Sequence, residues 1–406
     1  MKLSRAVAAT LAGAMVLIAC QASSSTPTTS SDATPSDSPT TTSTISPSIE
    51  PASPEPASPT QSLSPVTSWS MTASFDSDPG TSYVTDVAAW SGGFVAIGSA
   101  WGSANLVNKE MPAVWTSVDG ESWDAQPIDL GVDDVSLIGI APRADGQLLL
   151  VARILVAGDD PGLTTMIPGA WVSDDASTWQ GVDLGLPDNP VVDSFDHGPI
   201  GYALTTGGEV WFSADGIDWT MTYEGAANVV AGDQGFVAID IPEAAGPSSV
   251  VASGDGVTWF ESGQIATPIL DVAAVGGDWV ASGYTGVATT ISIWHSANAL
   301  DWTVGLDVDD LTGPGGPKTG LGLEFLNIGG VSLAGGAGYA FLTLTNNHCC
   351  AQMPWNHGVW GSADGITWEP VVDGDAFVSS VASSGGTTVL GGHLRRGEDA
   401  AFWIGE

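Results

Sequence analysis

Basic residues are scarce: Lys and Arg together number 8 in 406 residues, against 46 Asp and Glu, and the formal net charge is −38. A surface of that sign repels nucleic-acid phosphates and anionic lipid headgroups, so nucleic acid is excluded as a partner. Cysteine is equally sparse, with 3 in the chain, Cys20, Cys349 and Cys350, which is too few for a disulfide framework and offers no Cys-x-x-Cys pair. There is no His-Glu-x-x-His, no Gly-rich phosphate loop and no nucleophile elbow. Beyond the first residues no apolar run is long enough to cross a bilayer.

The start of the chain has its own pattern. Lys2 and Arg5 precede an apolar run from Ala6 to Ile18, the charge order and short length of a secretory signal. Leu17-Ile18-Ala19-Cys20 resembles the bacterial lipobox. The resemblance implies that residues 1–19 are removed and that Cys20, acylated with diacylglycerol and palmitate, anchors the chain to the outer leaflet of the bacterial cytoplasmic membrane. Residues 20–65 are almost entirely Ser, Thr, Pro and Ala, too poor in apolar surface to offset the entropy of ordering, and are expected to form a disordered tether. Such a linker has an r.m.s. reach of roughly 35–40 Å.

Residues 66–406 are rich in Gly, Val, Ala and Trp and are repetitive. Trp115-Thr-Ser-Val-Asp-Gly-Glu-Ser-Trp123 returns as Trp171–Trp179, Trp211–Trp219, Val251–Trp259, Trp294–Trp302 and Trp360–Trp368. A further copy is split between the ends: Ala401–Gly405 matches the strand entering the box and Ser68-Trp69-Ser70 the strand leaving it. Before each box lies a second pair of short apolar runs around a Gly-containing turn, as in Val84–Gly98 and Ile269–Gly283. Each repeat therefore reads as four strands, A-B-C-D, and the whole as an all-β, seven-bladed β-propeller of four-stranded antiparallel blades, its ring closed by both termini.

The box has a structural task. A carboxylate at Asp119, Asp175, Asp215, Asp255 or Asp364, or the amide at Asn298, can accept hydrogen bonds from the backbone of its own turn, and the Gly that follows in most copies takes positive φ freely. Most of the 17 Trp residues flank these turns, where they are expected to pack between blades. The pattern resembles the Asp-box, or BNR, repeats of the sialidase-like propeller superfamily, although the turn is one residue shorter than the usual Ser-x-Asp-x-Gly-x-Thr-Trp. Sialidases of that superfamily also carry three arginines that clamp a carboxylate, a Tyr–Glu nucleophile pair and an acid Asp. With the signal removed, this chain retains only Arg143, Arg153, Arg395 and Arg396, which argues against sialidase activity, and no residue is assigned a catalytic role.

In such a meander, A–B and C–D turns share one face of the disc and B–C and D–A connections the other. The long connections fall on that second face and carry Trp101, Lys109, Lys318, His348, Trp355, His357, Arg395 and Arg396, the candidate ligand-binding residues. Within them, Cys349 and Cys350 are adjacent. Export favours a vicinal disulfide; reduced, the thiolates with His348, Met353 and His357 offer soft ligands for copper(I) or zinc. Paired acids such as Asp133-Asp134 could hold calcium, but no EF-hand spacing is present, and no resident cofactor or metal is assigned. The expected function is a non-catalytic binding or assembly module for a protein or carbohydrate, touching the membrane through its lipid anchor only. The alternatives are a glycan-acting hydrolase and metal capture at the His-Cys-Cys loop.

Overall fold

The computed structural model describes residues 66, 68–76, 82–101, 110–157, 164–187, 190–240, 248–261, 265, 269–285, 290–307, 328–336, 338–346, 359–372, 376–394 and 399–405. All belong to one unit, Gln61–Glu406. The lipobox-like segment with Cys20, and residues 21–65 expected to form a tether, lie outside the described residues.

Period-2 alternation and Gly turns give 28 strands and no helix among the described residues. The first, β1 (Trp69–Asp76), belongs to the last blade. Blade 1 is β2 (Ser82–Trp90), β3 (Gly93–Trp101), β4 (Glu110–Ser117) and β5 (Asp124–Pro127). Blade 2 is β6 (Val135–Pro142), β7 (Leu148–Ala157), β8 (Thr164–Ser173) and β9 (Gln180–Val182). Blade 3 is β10 (Val192–Gly198), β11 (Gly201–Thr206), β12 (Glu209–Ser213) and β13 (Thr220–Glu224). Blade 4 is β14 (Ala226–Gly232), β15 (Gly235–Asp240), β16 (Ser249–Ser253) and β17 (Phe260–Glu261). Blade 5 is β18 (Ile269–Val275), β19 (Asp278–Thr285), β20 (Thr290–Ser296) and β21 (Thr303–Asp307). Blade 6 is β22 (Ile328–Gly336), β23 (Tyr339–Asn346), β24 (Val359–Ser362) and β25 (Glu369–Val372). Blade 7 is β26 (Ala376–Ser384), β27 (Thr387–Leu394) and β28 (Asp399–Gly405), completed by β1.

The protein is thus a seven-bladed β-propeller of four-stranded antiparallel blades. Blade 7 joins the two ends of the propeller: β1 pairs antiparallel with β28 from Trp69↔Gly405 to Asp76↔Asp399. The innermost strands, β2, β6, β10, β14, β18, β22 and β26, each contact the next around the ring, and β26 returns to β2. Every one of these A strands carries a bulge near its start, which bends and twists it as closure of the ring requires.

The core is divided among the blade seams. One cluster sets Val95, Ile97 and Val114 of blade 1 against Leu148, Leu150 and Trp171 of blade 2, and six others repeat the arrangement around the ring. At the seam between blades 6 and 7, Trp69 packs edge-on to Phe341 at 5.2 Å. Leu150 is fully buried, and truncating such a side chain to Ala typically costs about 2–5 kcal/mol.

The box turns are built alike. Asp119 Oδ1 accepts the Glu121 and Ser122 amides, both at 2.9 Å, while Ser117 Oγ accepts the Gly120 amide at 2.8 Å. Asp215, Asp255 and Asp364 repeat the pattern, and Asn298 Oδ1 accepts the Leu300 and Asp301 amides at 2.9 Å. Where the box lacks Gly, Ala176 and Ala299 adopt left-handed φ values of 57° and 58° and are buried. At Gly256 an added Cβ would lie 2.2 Å from the Phe212 ring, so there the neighbouring blade already fills the space.

Candidate functional site

The strongest concentration of polar chemistry lies at the centre of the ring. The A strands of all seven blades enclose a channel of about 530 Å³, whose lining includes Asp86, Asp196, His197, Asn228, Asp271 and Ser380. Asp86, Ser194, Asn228, Asp271 and Ser380 occupy the same place, the first residue after the bulge of their A strand. Asp196 stands further along β10, nearer the A–B turn.

An A strand is the inner edge of its sheet, so its channel-side amides have no strand to pair with. Three carboxylates collect them. Asp86 accepts its neighbour Val87 N at 2.8 Å on Oδ1 and Ile140 N of blade 2 at 2.9 Å on Oδ2. Asp196 accepts His197 N at 2.7 Å and Ala231 N of blade 4 at 2.9 Å. Asp271 accepts Val272 N at 2.9 Å and Leu333 N of blade 6 at 2.8 Å. Each acid thus spans a seam, from blade 1 to 2, 3 to 4 and 5 to 6.

Hydroxyls and one guanidinium serve other seams. Ser380 Oγ of blade 7 donates to Asp86 Oδ1 at 2.7 Å and accepts Val87 N at 3.1 Å. Thr343 Oγ1 accepts Val378 N across blades 6 and 7, and Ser248 Oγ accepts Ile269 N ahead of blade 5. Between blades 2 and 3, Arg153 donates to the carbonyls of Val192 and Asp193.

Protein surrounds the three acids, which are half-buried along the lumen. Burial pushes Asp86 above the usual carboxylate range, opposed by the Ser380 hydroxyl and the Ile140 and Val87 amides. Burial lifts Asp196 to about 7 against the pull of the Ala231 amide, and the charge of Asp86 adds to the rise. Asp271 is raised to about 6 by burial, opposed by the Leu333 and Val272 amides. Burial also lowers His197 to about 4, keeping its imidazole neutral. The box acids move the other way: Asp255, held by the Thr258 and Val257 amides, lies at about 2, and the Ser122 and Glu121 amides lower Asp119.

The channel acids were not among the residues singled out from the sequence. The signal for Asp86 and Asp271 is a charged residue at a fixed place in an otherwise apolar strand, seen in both Thr85-Asp86-Val87 and Leu270-Asp271-Val272, a place that Asp196 does not share. Of the candidate ligand-binding residues, Lys109, Lys318, His348, Trp355, His357, Arg395 and Arg396 lie outside the described residues, as do Cys349 and Cys350. Trp101 closes β3, and only its backbone is described. The remaining arginine, Arg143, sits on the box face, 3.0 Å from Asp145, and donates to the Asp215 carbonyl of blade 3. Among the described residues no group of three or more His, Cys, Asp or Glu is placed to hold a metal ion.

No family model matches the chain, and no curated protein matches it. Solved structures do show similarity. YCF48 bound to D1 peptide is 13% identical with a TM-score of 0.48, covering 84% of this chain and 97% of that one. The β-propeller domain of the Trilobed protease from Pyrococcus furiosus is 10% identical with a TM-score of 0.46, covering 77% and 92%. Trypanosoma rangeli sialidase is 10% identical with a TM-score of 0.41, covering 80% of this chain and 55% of that one.

Proposed function

We propose that this chain is a lipid-anchored, extracytoplasmic propeller that holds a protein or carbohydrate without chemically changing it. One observation carries the reading: each carboxyl that converges on the channel already accepts two backbone amides, one from the residue that follows it and one from across a seam. A general acid or nucleophile needs oxygens free to meet a substrate, and these are occupied in holding the ring. Arg153 is likewise engaged with carbonyls, and Arg143 with Asp145 and Gln147, which leaves neither as a carboxylate clamp. Location rests on the order Lys2, Arg5, Ala6–Ile18, Cys20. β1 begins at the box-face end of blade 7, which supports a reading in which the long connections of the opposite face meet the ligand.

Two measurements test the reading. Glycan and peptide arrays should give saturable binding, and chromogenic glycosides should not turn over; turnover lost on Asp196→Asn in a folded protein would overturn it. Cys20→Ser should move the protein from the membrane fraction to the medium. A second reading, a glycan-acting hydrolase, is favoured by a single observation: Asp86 and Asp196 share the channel, both raised by burial and coupled through their charges.

A further inference from the structure

On the box face, blades 1 and 2 leave a cleft of about 360 Å³ whose lining includes Trp90, Thr116, Asp119, Ser122, Asp124 and Asp175. Strand alternation brings these residues to one seam. In β2, Ala88 and Trp90 face blade 2, while Val87 and Ala89 face blade 7. Thr116 pairs with Asp124, which heads the outer strand β5. The box turn of blade 2 supplies Asp175, with its Ala176 buried in the same seam.

An aromatic wall distinguishes this seam from the rest. Trp90 ends its A strand opposite the first residue of β3. The A strands of the other six blades end at the same place in Pro142, Gly198, Gly232, Val275, Gly336 and Ser384, none of them aromatic. Trp90 is half-buried, and a Cβ on Gly92 would lie 2.4 Å from its ring. Gly92 has no left-handed φ that would call for glycine, so its missing side chain serves the ring, which folds over its own turn.

The carboxylates beside the ring have accepting capacity to spare. Asp124 is exposed and has no hydrogen bond or ion pair among the described residues. Asp119 takes its turn amides on Oδ1, leaving Oδ2 unengaged. The amides of the turns, led by Ser122 and Thr178, hold Asp119 and Asp175 below the usual carboxylate range, so both are charged at neutral pH. No Lys or Arg is among the described residues that line the cleft.

We propose that this cleft binds an alkylguanidinium group, carried by a free small molecule or by an arginine side chain. A guanidinium is a planar cation that stacks on an indole while its N–H fork meets carboxylates. An ammonium is more strongly hydrated and lacks the plane. The cleft is on the box face, apart from the long connections proposed to hold the protein or carbohydrate.

A nuclear magnetic resonance titration of the full chain with ethylguanidinium tests this. Binding should shift one indole signal, the one that Trp90→Leu deletes, and ethylammonium should bind about tenfold more weakly. Asp124→Asn and Gly92→Ala should each weaken ethylguanidinium about threefold with the thermal melt unchanged, the first by removing an exposed charge and the second by displacing the ring. Glu369→Gln, at the matching place on blade 6, should leave affinity unchanged. Acetyl-Gly-Arg-Gly-amide binding more tightly than ethylguanidinium assigns the group to an arginine of a partner chain; weaker binding assigns it to a free guanidine. Equal affinity for ethylammonium, or undiminished binding in both Asp124→Asn and Gly92→Ala, would reduce the effect to bulk electrostatics and overturn the proposal. A shift of the same indole signal by a neutral methyl glycoside, with none by ethylguanidinium, would make the cleft a sugar site and likewise overturn it.

Discussion

Asp86 and Ile140 belong to different blades, and the Asp86 carboxylate accepts the Ile140 amide at 2.9 Å while its other oxygen holds Val87 and Ser380. The side chain thus satisfies an inner-edge amide that no strand can reach, and ties blade 7 to blade 2 through blade 1.

Removing such a clip leaves amides without a partner. Asp86→Ala and Asp271→Ala should each lower unfolding free energy by about 1–3 kcal/mol, read from urea denaturation midpoints. Asp271→Asn should recover only part of the loss, because an amide has one acceptor oxygen where Asp271 uses two.

Stability should respond to pH between neutrality and mild acid. Asp196 has a folded pKa of about 7, above the ~3.9 of a free Asp. Its contribution is complete below the unfolded value and is lost as pH rises through about 7. His197, lowered to about 4, has the opposite slope below the ~6.5 of a free His, so the two offset one another there. From pH 6.5 upward the His197 slope fades and that of the raised channel acids remains, Asp196 together with Asp86 and Asp271, with lumen water keeping the Asp196 share below the ~1.4 kcal/mol per pH unit of one proton. Melting temperature should therefore fall between pH 6 and pH 8 in the native protein and fall less in Asp196→Asn. A level profile in the native protein would remove Asp196 as a titrating group.

The box turns should treat Gly and Ala unequally. Gly256→Ala forces a methyl into the Phe212 ring at positive φ and should destabilise by about 1–3 kcal/mol in thermal melts. Ala176→Gly relieves its left-handed strain but empties a buried methyl site, and the near balance should leave stability within about 1 kcal/mol.

Closure by the two ends gives Trp69 a role out of proportion to its place near the end of the propeller. Trp69→Ala removes the edge contacts to Phe341 and Tyr339 and should cost about 2 kcal/mol, less than the ~3–5 kcal/mol of a fully buried Trp. Deleting residues 68–76 should cost more and expose the free edge of β28, detectable as aggregation on heating.

Strand number, blade order and the shared last blade were legible because each is local. Val95-Ala96-Ile97 alternates in a short apolar run, Ser117-Val118-Asp119-Gly120 makes its own turn, and the split copy at Trp69 and Trp403 names its own partner. Which acids line the channel was not legible. Asp86, Asp196 and Asp271 are three among 46 acidic residues and far apart in the chain. They become neighbours only when seven inner strands close into a ring, and their burial, raised pKa values and seam hydrogen bonds exist only in that closed state. Periodicity and turn chemistry act over a few residues and so can be read along the sequence, whereas desolvation depends on what else is brought into the same volume, which the tertiary fold alone decides.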